Sequence, residues 1–373
     1  MHRHQTFRND RGLLIAVVAL ALVASACTGS SVEATQSSAF STIPPTSTTT
    51  STTTTTTPST TAPSTTVEAT TTTVEATTTT LPAPPVYPLT GVLVADPAIA
   101  ARPALVVKID NASGARPQTG FNSADLVYEE IVNDNLTRFA MVFHSAGSDP
   151  VGPIRSGRMQ DIDLFGSLNR PLFAWSGGNA TVTDAIRASD LIEIGPNSAR
   201  VYFRSGRKAP HNLYANTTDL WGFTPYLAGP PAQQFLYRSE GEPAAGVPAR
   251  GVGIALDSIN AEWDWDPASG HYLRTMEGRP HEDGAGGRVS TNNVVVLVVE
   301  YLSGISGSPD AHTLGTGEAF VFTAGNYIHG TWTRNDRLQP FTLTADDGTP
   351  IELTPGRTFI ELPRNSSTIP FPA

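Results

Sequence analysis

Ala104-Leu105-Val106-Val107-Lys108-Ile109 runs almost unbroken into Asp110-Asn111. A strand with one wet face alternates apolar and polar residues. A run this continuous predicts a strand covered on both faces, opening at its polar end into a loop. Two more strands are predicted downstream, at 125–132 (DLVYEEIV) and 137–143 (TRFAMVF), joined by a turn at Asn133-Asp134-Asn135. Residues 159–168 space Met159, Ile162 and Phe165 as the inner face of a helix. Leu172-Phe173-Ala174-Trp175 reads as a strand running into Ser176-Gly177-Gly178-Asn179, after which Thr181 or Thr183 is placed to cap a helix through Ile186. Strands interspersed with helices make residues 86–228 a mixed α/β domain of the α+β kind.

From residue 251 the pattern turns to β. Segments 263–266 and 272–274 flank a Pro-Ala-Ser-Gly turn, and 293–301 is the most apolar run of this half. Segments 319–322 and 328–332 enclose Ala324-Gly325-Asn326. Segments 341–344 and 351–353 enclose Asp346-Asp347-Gly348, a hairpin signal, and 357–362 supplies a last strand. A smaller, mainly β domain with its own sheet or barrel is expected over 251–364, followed by a tail at 365–373. The Pro-, Gly- and Ala-rich stretch 229–250 is the inter-domain linker.

Upstream of the folded region the composition changes. The chain is 39% hydrophobic and 16% charged, below the roughly 45–50% and 25% of soluble domains, because Thr and Ser fill most of 41–80. Such a tract cannot bury enough apolar surface to offset chain entropy, so 27–85 is expected to be a disordered linker, a Thr-rich stalk. Arg3, Arg8 and Arg11 precede an apolar run that ends in Val23-Ala24-Ser25-Ala26-Cys27. That is a secretory signal over 1–26, too short to span a bilayer, with small residues before the chain's single cysteine. The pattern predicts a lipoprotein signal peptide with Cys27 as the lipidated residue (palmitate among its acyl chains), and hence a membrane anchor and an extracytoplasmic location in the cell envelope. One cysteine excludes a disulfide scaffold and a Cys-rich metal site. The net charge of −10 argues against nucleic acid as a partner.

No Walker loop, dinucleotide fingerprint, metalloprotease motif or Gly-x-Ser-x-Gly elbow occurs, and neither a cofactor nor a metal site is expected. The chemistry-bearing residues stand instead at the ends of the first-half strands. Asp110-Asn111 with Arg116, Gln118 and Gly120 reads either as turn chemistry with an ion pair or as part of a site. Glu129 and Glu130 point to opposite faces of their strand. Whichever of the two is buried is then the structural partner of Arg138 or, facing a cleft, a general acid or base, with plain solvent exposure as the third reading. Val151-Gly152-Pro153-Ile154-Arg155-Ser156-Gly157-Arg158 places two guanidiniums three residues apart near a helix start, an anion site unless both arginines pair with upstream acids. His211-Asn212, in the basic loop 204–212, offers a titratable ring and an amide. Trp263, Trp265, Tyr272, Tyr301 and Trp332 read as core, with sugar stacking as the other use of such aromatics.

Taken in order, these segments resemble the YerB-like bacterial lipoproteins, a family named for a domain of unknown function. The similarity runs from about Pro88 to Leu362. It rests on Lys-Ile-Asp-Asn at 108–111, Ala-Arg-Pro-Gln-x-Gly at 115–120, Ala-Asp-Leu-Val-Tyr-Glu at 124–129, Leu-Thr-Arg-Phe at 136–139, Gly-Pro-Ile-Arg-Ser-x-Arg at 152–158 and Ala-Pro-His-Asn-Leu-Tyr at 209–214. Trp-Asp-Trp-Asp at 263–266 and Gly-Thr-Trp-x-Arg at 330–334 extend it through the second half. The resemblance implies a membrane-tethered protein with N- and C-terminal domains and brings no catalytic residues with it. Trp175 departs from the family pattern, standing where relatives place a histidine before Gly-Gly.

The leading functional expectation is a cleft that binds an anionic cell-wall ligand through Arg116, Gln118, Arg138, Arg155, Ser156, Arg158, His211 and Asn212, with Asp110 and Glu129 orienting the arginines. The alternatives are an envelope hydrolase of phosphodiesters or glycosides, with Asp110, Glu129 and His211 as its catalytic candidates, and a scaffold that binds another envelope protein.

Overall fold

The computed structural model describes residues 84–367, apart from Leu227, together with Ile369. The signal segment, Cys27 and all but the last two positions of the 27–85 stalk lie outside the described residues, as does most of the tail. No helix among the described residues is long and apolar enough to cross a membrane.

The chain is mostly β with few helices. Its first half supplies β1 (Leu105–Asp110), β2 (Leu126–Ile131), β3 (Thr137–Phe143), β4 (Leu172–Ala174) and β5 (Ile192–Glu193). Between and after them lie α1 (Gln160–Leu164), α2 (Ala180–Ala188), the ribbon β6 (Phe203–Arg204) and β7 (Leu213–Tyr214), and α3 (Thr217–Trp221). The second half supplies β8 (Gly251–Leu256), β9 (Ile259–Asp266) and β10 (His271–Met276). It continues with β11 (Asn293–Leu297), β12 (Gly315–Thr323), β13 (Asn326–Arg334), β14 (Thr342–Ala345) and β15 (Thr358–Leu362).

One eleven-stranded sheet takes strands from both halves, in the order β14-β13-β12-β11-β15-β2-β3-β1-β4-β5, with Val247–Pro248 beside β13. The join is β15, which lies parallel to β11 on one side and parallel to β2 on the other. The second half therefore forms a small sheet of its own only in part. β8–β10 belong to a separate five-stranded sheet, while β11–β15 extend the sheet begun by the first half. β2, β11 and β15 are buried along their whole length, with neighbouring strands on both edges and packed layers on both faces.

Strand parity sorts the core into two layers. Leu105, Val107, Ile109, Phe139 and Met141 pack on one face with Val294, Phe359, Trp263 and Tyr272, the last two from β9 and β10. Val106, Ala140, Val142, Leu126 and Tyr128 pack on the other with Ile360, Phe165, Phe173 and Trp175.

Several local expectations shift. The helix at 159–168 stops at Leu164 and continues as a 3₁₀ turn, Gly166–Leu168, because Gly166 lies against the Arg337 carbonyl, where a Cβ would come within 2.6 Å. Helix α2 is capped by Asn179, whose Oδ1 accepts from the Val182 amide at 2.9 Å, rather than by a threonine. The 293–301 run breaks after Leu297, and Glu300–Ser303 pairs with Pro309–His312 as a separate ribbon. The Asp346-Asp347-Gly348 turn closes against β14 as expected, through Ala345 N to Thr349 O (2.8 Å), the Thr344–Pro350 bridge and Ile351 N to Leu343 O (3.0 Å), and Glu352–Leu353 then lies parallel to Leu236–Tyr237. Trp263, Tyr272 and Trp332 are buried, while Trp265 and Tyr301 are partly buried and pack against the core.

Candidate functional site

The polar end of β1 gathers residues that are distant in sequence. The Ile109–Ile154 bridge sets the 152–155 segment beside β1, and the Ile154 amide donates to the Leu213 carbonyl at 2.6 Å, bringing in the 204–212 loop. Asp110 Oδ2 then receives two partners, His211 Nδ1 at 2.7 Å and Arg155 Nε at 3.0 Å. Its Oδ1 accepts from the Ala112 amide at 3.1 Å. The carboxylate is nearly covered, whereas the side chains of His211 and Arg155 are 22% and 27% exposed.

Arg155 is followed by a cleft of about 350 Å³. Ser156, Gly157 and Arg158 form one wall and Ser176-Gly177-Gly178-Asn179 another, with Asn133 and Asp310 at the rim. Backbone hydrogen bonds Ser176 N to Arg155 O (2.9 Å) and Gly157 N to Gly177 O (3.2 Å) stitch the two loops together. A Cβ on Gly157 would lie 2.7 Å from the Trp175 ring, so this approach needs glycine. Arg158 donates to the Gly157 carbonyl at 3.0 Å and to Asn133 Oδ1 at 3.1 Å. Arg138 donates to the Ser156 carbonyl at 2.7 Å. The Arg138 guanidinium is driven down to about 10, first by burial and then by the positive charges of Arg158 and Arg155, against the pull of Asp110 and Glu130.

The structure thus brings Asp110, Arg138, Arg155, Ser156, Arg158 and His211 into one neighbourhood, and it places the other sequence candidates elsewhere. Arg116 donates to the Asn111 carbonyl at 3.0 Å and ion-pairs with Glu277, facing a second groove of about 540 Å³ that includes Met276 and His281. Gln118 is buried, donating to the Asp110 carbonyl at 2.9 Å and facing His281 Nε2 through its Oε1 at 3.0 Å. Asn212 is also buried and braces its own loop through Arg204 and the Arg207 carbonyl, at 2.7 and 2.9 Å. Glu129 does not pair with Arg138. Register sets Arg138 opposite Glu130, so Glu129 turns to the other face, where it is fully buried and ion-paired with Arg274.

Two buried charge clusters escaped the sequence reading. On the helical face Lys108 pairs with Glu130 and, at 2.8 Å, with Asp161, all three wholly inaccessible. Asp161 is pushed up to about 7 by burial and by the Glu130 charge, against Lys108. Its second oxygen accepts the Arg158 amide at 2.7 Å, which ties the cleft loop to the core. On the opposite face Arg274 lies between Glu129 and Glu361, 3.5 Å from the latter, and Trp263 Nε1 donates to Glu361 at 2.9 Å. A lysine inside the most apolar strand was the one available signal for the first cluster. The second joins β2, β10 and β15 and left no mark on any single segment. Among the described residues no group of three or more His, Cys, Asp and Glu side chains is placed to hold a metal ion.

The order of these elements matches two family models, described as "Protein of unknown function (DUF3048) N-terminal domain" at residues 89–227 and "Protein of unknown function (DUF3048) C-terminal domain" at residues 252–360. The chain belongs to the DUF3048 family. Over 286 residues this DUF3048 chain is 25% identical to "Putative lipoprotein YerB" of Bacillus subtilis (strain 168), spanning 74% of this chain and 85% of that one. A crystal structure of the YerB protein from Bacillus subtilis matches it with a TM-score of 0.67 at 21% identity, over 76% of this chain and 99% of that one, which shows the shared fold. Trp175 is a core side chain beside the cleft loops, where a Cβ on Gly157 would meet its ring, and its Nε1 donates to Glu193 at 3.0 Å.

Proposed function

We propose that this protein is a lipid-anchored, extracytoplasmic binding protein whose cleft between the 156–158 and 176–179 loops holds an anionic cell-envelope ligand. The observation that carries the reading is the closeness of Arg138 and Arg155 to Arg158, which lines that cleft. Burial and the positive charges of Arg158 and Arg155 hold Arg138 below its ordinary range, an accumulation of charge that an anion relieves, and arginine forks suit carboxylate and phosphate. Ligand screening by thermal shift on the full chain, with cell-wall fragments, phosphates and divalent metals, tests it. A shift that grows with concentration and disappears in Arg155→Ala/Arg158→Ala supports the site. No shift with any panel member, in a folded sample, moves the assignment to a protein-binding scaffold.

Anchoring rests on the Cys27 signal and on the lipoprotein name of the Bacillus relative. Cys27→Ala is expected to abolish fatty-acid labelling and to move the protein from the membrane to the soluble fraction. Unchanged membrane partition would overturn the anchor.

A hydrolytic reading draws on one further observation, the 2.7 Å contact between His211 Nδ1 and Asp110. The carboxylate orients the ring and leaves Nε2 as the proton-transferring atom. Product analysis with the bound ligand, wild type against His211→Ala, separates a hydrolase from a binder.

A further inference from the structure

The cleft is not uniformly basic. Asp310 lines it together with Ser156, Arg158 and Asn179, on the short strand Pro309–His312. That strand is fixed in place by the Ala311 amide, which donates to Gln160 Oε1 at 2.7 Å, and by pairing of Asp310 with Leu302. The Asp310 side chain is half-buried, and among the described residues it has no hydrogen-bond or ion-pair partner. Burial and the charges of Asp163 and Glu130 hold its pKa above the ordinary carboxylate range, against the pull of His312 two residues on. A half-buried carboxylate without a partner is costly unless something else supplies a donor. Arginine is near at hand, yet the Arg158 fork is directed at the Gly157 carbonyl and Asn133.

We propose that the cleft takes a zwitterion, a short peptide whose carboxylate meets Arg158 and whose free ammonium meets Asp310. This rests on the anion reading above and narrows it to a substrate class. A cleft of about 350 Å³ lies at the small end of ligand sites, which run from about 300 to 1,000 Å³, and suits a dipeptide-sized group.

Isothermal titration of the full chain in detergent solution with four probes decides the matter. The probes are Ala-Ala, its N-acetyl form (anion only), its C-terminal amide (cation only) and inorganic phosphate, each against wild type and Asp310→Asn. The expected result is Ala-Ala binding at least tenfold tighter than either blocked dipeptide. Asp310→Asn should remove that preference while strengthening N-acetyl-Ala-Ala and phosphate. The substitution is isosteric at a position without partners, and an unchanged thermal midpoint verifies the fold. Equal binding of Ala-Ala and N-acetyl-Ala-Ala, insensitive to Asp310→Asn, would overturn the zwitterion and leave the anion site standing. Equal binding of Ala-Ala and its amide, with no response to phosphate, would remove the anion half. No heat with any probe would take down both.

Discussion

Arg274 has the most to lose from a single substitution. Its guanidinium is wholly buried between Glu129 and Glu361, over the rings of Phe359, Phe139 and Trp263. Arg274→Met keeps the volume and leaves two buried carboxylates without their cation. The expected loss is about 3–5 kcal/mol in urea denaturation, and a loss below about 1 kcal/mol would show that the cluster is not held as described. Glu361 gives the same cluster a pH signature. Burial and the Glu129 charge push it up to about 8, against Arg274 and the Trp263 hydrogen bond. A carboxyl whose folded pKa lies above its unfolded value binds protons on folding. Its contribution is therefore greatest below pH 4.5 and is lost as pH rises through about 8. Glu361→Gln should flatten the fall in stability across that window, as read from denaturation midpoints at pH 5 and pH 8.

At the scale of elements, α2 and β15 matter in different ways. α2 starts at the cleft, and its Asn179 cap is both a stability device and part of the wall. Asn179→Ala should cost about 1 kcal/mol. Asn179→Asp should restore most of it, because a carboxylate caps as well and favours the helix N-terminus. Thermal midpoints of the pair distinguish a cap from a mere contact. The cap was mistaken for a threonine because Thr181 and Thr183 are good capping residues by type. What decides is that Asn179 already has extended backbone, with ψ at 168°, so the helix starts one turn earlier. β15 was legible as a strand and illegible as a hinge between halves, since nothing in Thr358–Leu362 states which strands flank it.

For the molecule as a whole, the eleven-stranded sheet makes the two halves mutually dependent, and the described residues fall in one compact unit. Residues 84–228 expressed alone expose the β2 edge that β15 covers, and residues 251–367 alone expose β15 itself. Neither half is expected to give the dispersed amide spectrum of a folded protein. Co-expression should recover a complex, because a buried strand without its neighbour leaves a full row of backbone groups unpaired. Independent folding of either half would contradict the shared sheet.

The sequence by itself determined that the first half centres on buried strands, that the second half is β-rich and which motifs carry charge. All of these are properties of local composition and period. Arg155, Ser156, Arg158 and the Ser-Gly-Gly-Asn turn were legible as loop chemistry because glycine, proline and arginine leave signatures within a few residues. Only the tertiary structure decided that the two loops face one cleft with Asp310, that Asp110 takes His211 as well as Arg155, and that Glu129 answers to Arg274. Those pairings join residues as far apart as positions 129 and 274. Parity says which face a side chain takes, and it is strand order that says what waits there.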